Sequence, residues 1–156
     1  MIRKIPMLMM PVLLVSCASD EPVLAVNKFH LRDAEVVGRD SAMIRGEQRR
    51  LLYGAVSMEE QKQRLGEYFT VRWKLDEGSA LAHHGDAQVI LKYQQAGTAS
   101  KILKMSRHYS KGEKKGVSEF EIKGEDYQSN GRVLAWRVEL VHAGKMVASQ
   151  QSYMWD

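Results

Sequence analysis

Apolar and polar residues alternate most cleanly between Glu67 and Leu75, where Phe69, Val71, Trp73 and Leu75 interleave with Tyr68, Thr70, Arg72 and Lys74. A period of two sends the two sets to opposite faces of an extended chain, so this stretch predicts a strand with one buried face. The same period recurs in Ala87, Val89, Leu91 and Tyr93; in Leu103, Met105 and Tyr109, with Ile102 and Lys104 facing away; and in Phe120 and Ile122 within 117–123. Between Arg132 and Val141 the apolar face reads Leu134, Trp136, Val138 and Leu140. Val23, Ala25, Phe29 and Leu31 form an earlier face weakened by Asn27, and Met146 to Trp155 carries apolar residues in both phases. Arg49 to Val56 adds an eighth, weaker strand candidate.

The punctuation between these runs is polar and glycine-bearing. Lys111 to Gly116 reads as a hairpin connection, Ser129-Asn130-Gly131 as a turn, and His142-Ala143-Gly144-Lys145 as another. Ser57 followed three residues later by Glu60 has the form of a capping box, which predicts a short surface helix over 57–65 with Gly66 as its left-handed stop. Gly38, Asp40 and Gly46 argue for irregular backbone between Arg32 and Gln48, where charged residues interrupt every short apolar cluster, Val36-Val37 and Met43-Ile44 included.

Seven or eight short strands, one helix and no alternation of strands with helices predict a mainly β fold built as an antiparallel sandwich or small barrel. An immunoglobulin-like or fibronectin-type sandwich is the preferred form, without the cysteine pair of antibody domains, because Cys17 is the only cysteine.

That cysteine sits in a distinctive context. Arg3 and Lys4 make a positive start, Ile5 to Val15 carry no charge, small Ser16 precedes Cys17, and composition then turns polar through Ala18-Ser19-Asp20-Glu21-Pro22. The apolar run is shorter than the roughly 20 residues needed to span a bilayer and has the form of a secretory signal. Leu14-Val15-Ser16-Cys17 resembles the lipobox of bacterial lipoproteins. The resemblance implies cleavage before Cys17, a diacylglyceryl group on its sulfur and a further acyl chain on the new amino terminus. Ala18, where an aspartate would favour inner-membrane retention, implies the outer membrane. The expected organisation is a signal peptide over 1–16, a lipidated tether over 17–22 and one domain over 23–156.

Charge changes this picture little. The formal +4 includes Arg3 and Lys4, so the chain from Cys17 onward carries +2, which does not mark a nucleic-acid binder. One stretch is biased: Lys101, Lys104, Arg107, Lys111, Lys114 and Lys115 face the single acid Glu113. These could contact a polyanion such as anionic lipid or lipopolysaccharide, or line an exposed sheet edge against aggregation.

Candidate chemistry is sparse. His83-His84-Gly85-Asp86 is the densest set of metal-ligating types, but completing a site requires His30, His108 or His142 at no recognised spacing. No serine sits in a nucleophile elbow, and there is no phosphate-binding glycine loop or dinucleotide fingerprint. Glu119, Glu121, Glu125 and Asp126 read as the wet side of a strand and its turn. The sequence therefore predicts a lipid-anchored, non-catalytic envelope module without a cofactor, whose partner is another envelope protein or the cell wall. Polyanion binding through 101–115 is the alternative, and a metal-dependent hydrolase the last.

Overall fold

The computed structural model describes residues 22–35, 40–75 and 85–155. The expected signal segment with Cys17, the Val36-Val37 cluster, and His83 with His84 lie outside the described residues.

The chain is mainly β. Among the described residues seven antiparallel strands form two sheets: β1 (Leu24–Leu31), β2 (Gly66–Lys74) and β5 (Lys115–Lys123) in the order β1-β2-β5, and β3 (Ala87–Gln95), β4 (Leu103–Tyr109), β6 (Val133–His142) and β7 (Lys145–Gln151) in the order β4-β3-β6-β7. Their inner faces meet in one core, where Phe69, Val71, Trp73, Phe120 and Ile122 pack against Val89, Leu91, Tyr93, Val138 and Leu140. The alternating faces of β2, β3 and β5 are therefore those the sequence predicts.

Among the described residues three α-helices join strands: α1 (Ala42–Leu52), α2 (Met58–Arg64) and α3 (Glu125–Asn130). In α2 the reciprocal cap is present, with the Glu60 amide donating to Ser57 Oγ (3.1 Å) and the Ser57 amide donating to Glu60 Oε2 (2.8 Å). Helix α1 corrects two expectations, since it replaces irregular backbone before Gln48 and the strand proposed over Arg49–Val56. Its Leu51 and Leu52 pack with Phe29, Leu31, Leu65 and Tyr68 in a second small core on the outer side of the three-stranded sheet. Burial there pushes the Tyr68 phenol up to about 12, with the Glu121 charge adding to the shift.

This second layer also corrects the reading of β1. Leu24 and Val26, with Val23 beside them, feed the core between the sheets, Ala25 does not, and Phe29 and Leu31 turn toward α1. A bulge corrects β6: Gln94 pairs with Ala135 and Gln95 with Val133, so Leu134 is the extra residue and stands exposed while Val133 takes the inner place.

Two expected turns are something else. The polar connection after Tyr109 is not a hairpin, because β4 and β5 belong to different sheets and the chain crosses the open side of the sandwich there. Ser129-Asn130-Gly131 ends α3, with Gly131 at φ 73° and its amide bonded to Tyr127. Ala143 and Gly144, both at positive φ, do close the hairpin between β6 and β7.

Candidate functional site

The structure divides the six cations of 101–115. Lys101 lies before β4 at one end of the sandwich, beyond the Leu103–Tyr93 pair. Lys104 faces outward on the four-stranded sheet, in a row with Lys92 and Arg137, both of which bond Glu139 (2.8 and 3.1 Å). Arg107 stacks over the Phe120 ring at the gap between β4 and β5, 5.8 Å from its centre. Only Lys111, Lys114 and Lys115 stay together, at the other end.

That end gathers more charge than the sequence stretch foretold. Lys74 pairs with Lys115 across β2 and β5, and Arg72 pairs with Val117 one row in. Leu24 is opposite Trp73, so the chain enters the fold at the same end. The Lys74 amide bonds the Val23 carbonyl (2.9 Å) and the Leu75 amide the Lys114 carbonyl (2.6 Å), so the start of β1 and the start of β5 flank the last turn of β2. Pro22, Ala25, Arg72, Trp73, Lys74, Lys115, Gly116 and Val117 line an open cleft of about 480 Å³ there. Gly116 lets the Trp73 ring lie against the β5 backbone, 3.0 Å from where a side chain would begin. The Trp73 ring in turn packs on Tyr109 (4.7 Å), joining this end of both sheets.

A second polar constellation closes the opposite end and was not read from the sequence. Glu67, fully buried on β2, makes an ion pair with Lys28 of β1 and accepts from the Val133 amide (3.1 Å); Lys28 also donates to the Val133 carbonyl (3.3 Å). Both peptide groups of the residue beside the bulge are thus satisfied from the facing sheet, so the pair bolts the two layers together. The alternation of β2 marks Glu67 as inward-facing in register with Phe69, and that was the available signal.

Next to it, His30 Nε2 and the Tyr127 hydroxyl lie 2.6 Å apart. Burial lowers the His30 pKa from its ordinary 6.5; the Glu67 charge opposes this, while Arg32, Lys28 and Arg132 reinforce it. Burial and then the Glu67 charge raise the Tyr127 pKa. A neutral imidazole accepting from a protonated phenol satisfies both. Because the unfolded histidine binds protons more readily, stability is complete above pH 6.5 and falls as pH drops from there toward the folded value. Thermal midpoints measured across that window should show this acid limb, and His30→Gln should flatten it; an unchanged limb in the variant refutes the assignment.

The remaining candidates do not converge. His108 bonds Gln88 on the outer face of the four-stranded sheet (3.1 Å), and His142 is buried at the end of β6. Among the described residues no group of three or more His, Cys, Asp or Glu side chains comes together. Glu119 and Glu121 lie on the outer face of β5, exposed, and Glu125 and Asp126 form the first turn of α3. Among the described residues no helix is long and apolar enough to cross a membrane. No known protein family, curated protein or solved structure matches the chain.

Proposed function

We propose that the protein is a bacterial envelope lipoprotein, acylated on Cys17, whose β domain is a non-catalytic structural or interaction module at the outer membrane. The observation that carries this reading is where the fold begins. Among the described residues backbone pairing begins at Val23 and Leu24, six and seven residues after Cys17, and the sequence between Cys17 and Val23 is short and mostly polar. A lipid anchor needs such an arrangement: the acylated residue must reach the bilayer while the domain stays outside it. Two or three acyl chains hold a domain stably, at about 0.8 kcal/mol per buried methylene, where one chain gives only marginal attachment.

The strand order supports a fibronectin-type form of the sandwich. In the constant-type immunoglobulin order, four strands ABED face CFG. Moving the fourth strand across to the second sheet yields β1-β2-β5 facing β4-β3-β6-β7, the order found in this chain. The helices between β1 and β2 are an addition to that plan. Domains of this kind present long strand faces and loop ends to partners, which suits contact with another envelope protein or the cell wall.

The intact mass of the protein recovered from bacterial membranes tests the reading. A chain beginning at Cys17 and carrying a diacylglyceryl group with a further acyl chain is expected. The full-length unmodified polypeptide in a cytosolic fraction would end the proposal. Crosslinking in intact cells tests the module: a recurrent envelope partner is expected, and its absence removes that part.

A further inference from the structure

We propose that the free edge of β5 pairs with the same edge of a second copy of this chain, antiparallel about Ser118, so that two three-stranded sheets become one continuous sheet. This rests on the reading of the domain as an interaction module, for which it names the partner, and not on acylation of Cys17.

The edge is regular and open. β5 ends its sheet, and its ladder with β2 runs from Lys115 to Lys123 without a bulge or a proline. The Leu75 amide bonds the Lys114 carbonyl (2.6 Å), which sets the alternation of the antiparallel pair. Even-numbered residues of β5 turn their peptide groups to β2, and Lys115, Val117, Glu119, Glu121 and Lys123 turn theirs outward. Among the described residues no strand takes these up. β4 belongs to the other sheet, and an open cleft of about 540 Å³ lined by Met105, Ser106, Arg107, Glu119, Phe120 and Glu121 separates the two edges. The Tyr109 hydroxyl reaches the Val117 carbonyl (3.0 Å), which leaves that oxygen its second lone pair. An edge of this length is a template for another strand.

The charges along the edge select a second copy and its register. With Ser118 opposite itself, Lys115 faces Glu121 of the second copy and Val117 faces Glu119 of the second copy, each twice by symmetry. The two Glu119 carboxylates lie on one diagonal; on the other, each has Lys115 of the second copy, and Arg50 of its own chain is within electrostatic reach. One step in either direction is worse. Sliding toward the end of β5 sets Lys115 against Lys123 and Glu119 against itself, and the opposite step sets Glu121 against Glu113. Inside its own sheet Lys115 stands opposite Lys74, a like charge, so an acid on its other side relieves it. What matters is the place of each charge along the strand. The end of the sandwich around Lys115 has no one-sided charge, since Asp20, Glu21, Asp76 and Glu77 flank it in sequence.

The other edges do not offer this. The Val26 amide on the edge of β1 donates to Gln150 Oε1 of β7 (3.0 Å). β4 carries Lys104 and Arg107 and no acid, so pairing with itself would gather cations. β7 meets β6 through a bulge.

Sedimentation equilibrium of the full chain as isolated from cells, in detergent matched to the solvent density, reads the protein mass over a concentration series. The parent is expected to approach twice the mass of one chain. Lys115→Glu and Glu121→Lys each set like charges opposite one another at both symmetry-related places and should weaken self-association about 30-fold. The double variant Lys115→Glu/Glu121→Lys should recover it, because the pair is restored with its signs exchanged. Glu119→Pro removes an outward amide but none of the bonds between β2 and β5, and should stay monomeric. Should that variant lose its thermal transition, the charge reversals decide, since both alter exposed side chains. A parent monomeric at every concentration overturns the proposal, as does a dimer indifferent to the single reversals or a double variant no better than either. Intact mass is measured on the same sample: an acylated monomer removes the dimer and leaves the anchor, and an unacylated dimer does the reverse.

Discussion

Replacing Lys28 with methionine is expected to destabilise the protein by about 3–5 kcal/mol, read as a lower denaturant midpoint at an unchanged slope. The reason lies in what the substitution leaves behind. The Glu67 side chain is 0% exposed, and Lys28 supplies its counter-charge. Removing that charge strands a carboxylate between two sheets and also takes the donor from the Val133 carbonyl. The Lys28 side chain is itself 26% exposed, so solvent shares its charge and the lower end of the range is expected. The double variant Lys28→Met/Glu67→Met should be more stable than Lys28→Met alone. With both charges gone, the residual cost is the unpaired Val133 peptide, about 1–3 kcal/mol. Equal losses in the single and double variants would show that the ion pair does not hold the layers together.

Gly66→Ala should cost about 3 kcal/mol, while Gly46→Ala should stabilise by about 0.5–1 kcal/mol, although both glycines border or lie in helical sequence. A Cβ on Gly66 would stand 2.3 Å from the Ile122 carbonyl oxygen and 2.7 Å from Lys123 Cα. Both are backbone atoms of the neighbouring strand, so the β2–β5 ladder itself would have to move. A Cβ on Gly46, inside α1, meets nothing within 4 Å. There the added methyl only restricts the unfolded chain. Chemical denaturation of the two variants checks the pair, and a Gly66→Ala protein as stable as its parent would mean the strands are less closely apposed.

The Gly66 case shows how a correct local signal can be assigned the wrong cause. Read along the chain, a glycine after a capped helix is a left-handed stop. In the fold the helix ends with Leu65 extended, and Gly66 is the first residue of β2, small because β5 passes against it. Asn130-Gly131 is similar: a hairpin turn and a helix C-terminus both require positive φ, and the dipeptide does not say which. Helix α1 was missed for a different reason. Its sequence, Ala-Met-Ile-Arg-Gly-Glu-Gln-Arg-Arg-Leu-Leu, has no acid in its first turn, and only Gln48 and Leu51 are buried. Its footing is the outer side of a sheet, where Phe29, Leu31 and Tyr68 lie 16 to 23 positions from Leu51 and Leu52 in sequence.

The candidate surfaces divide the same way. Cys17 and the basic run were visible at once, because a motif resembling a lipobox and a cluster of lysines are each contiguous in sequence. Arg72 and Lys74 were visible too, but only as the polar half of a strand. Their union with Lys115 and with the start of β1 comes from strand register. The Lys28–Glu67 bolt, with residues 28, 67 and 133, is more distant still in sequence.

What the chain determined by itself is local: which residues of β2, β3 and β5 face inward, where α2 begins, and that strands outnumber helices. Periodicity and capping depend on neighbours within a turn or two, so they can be read without the fold. Which sheet each strand joins, the phase reversal at Leu134, the helical layer over Leu31 and Tyr68, and the company kept by each charge were decided only in the tertiary structure. Each of these depends on backbone groups and side chains from distant positions satisfying one another's burial and hydrogen bonding.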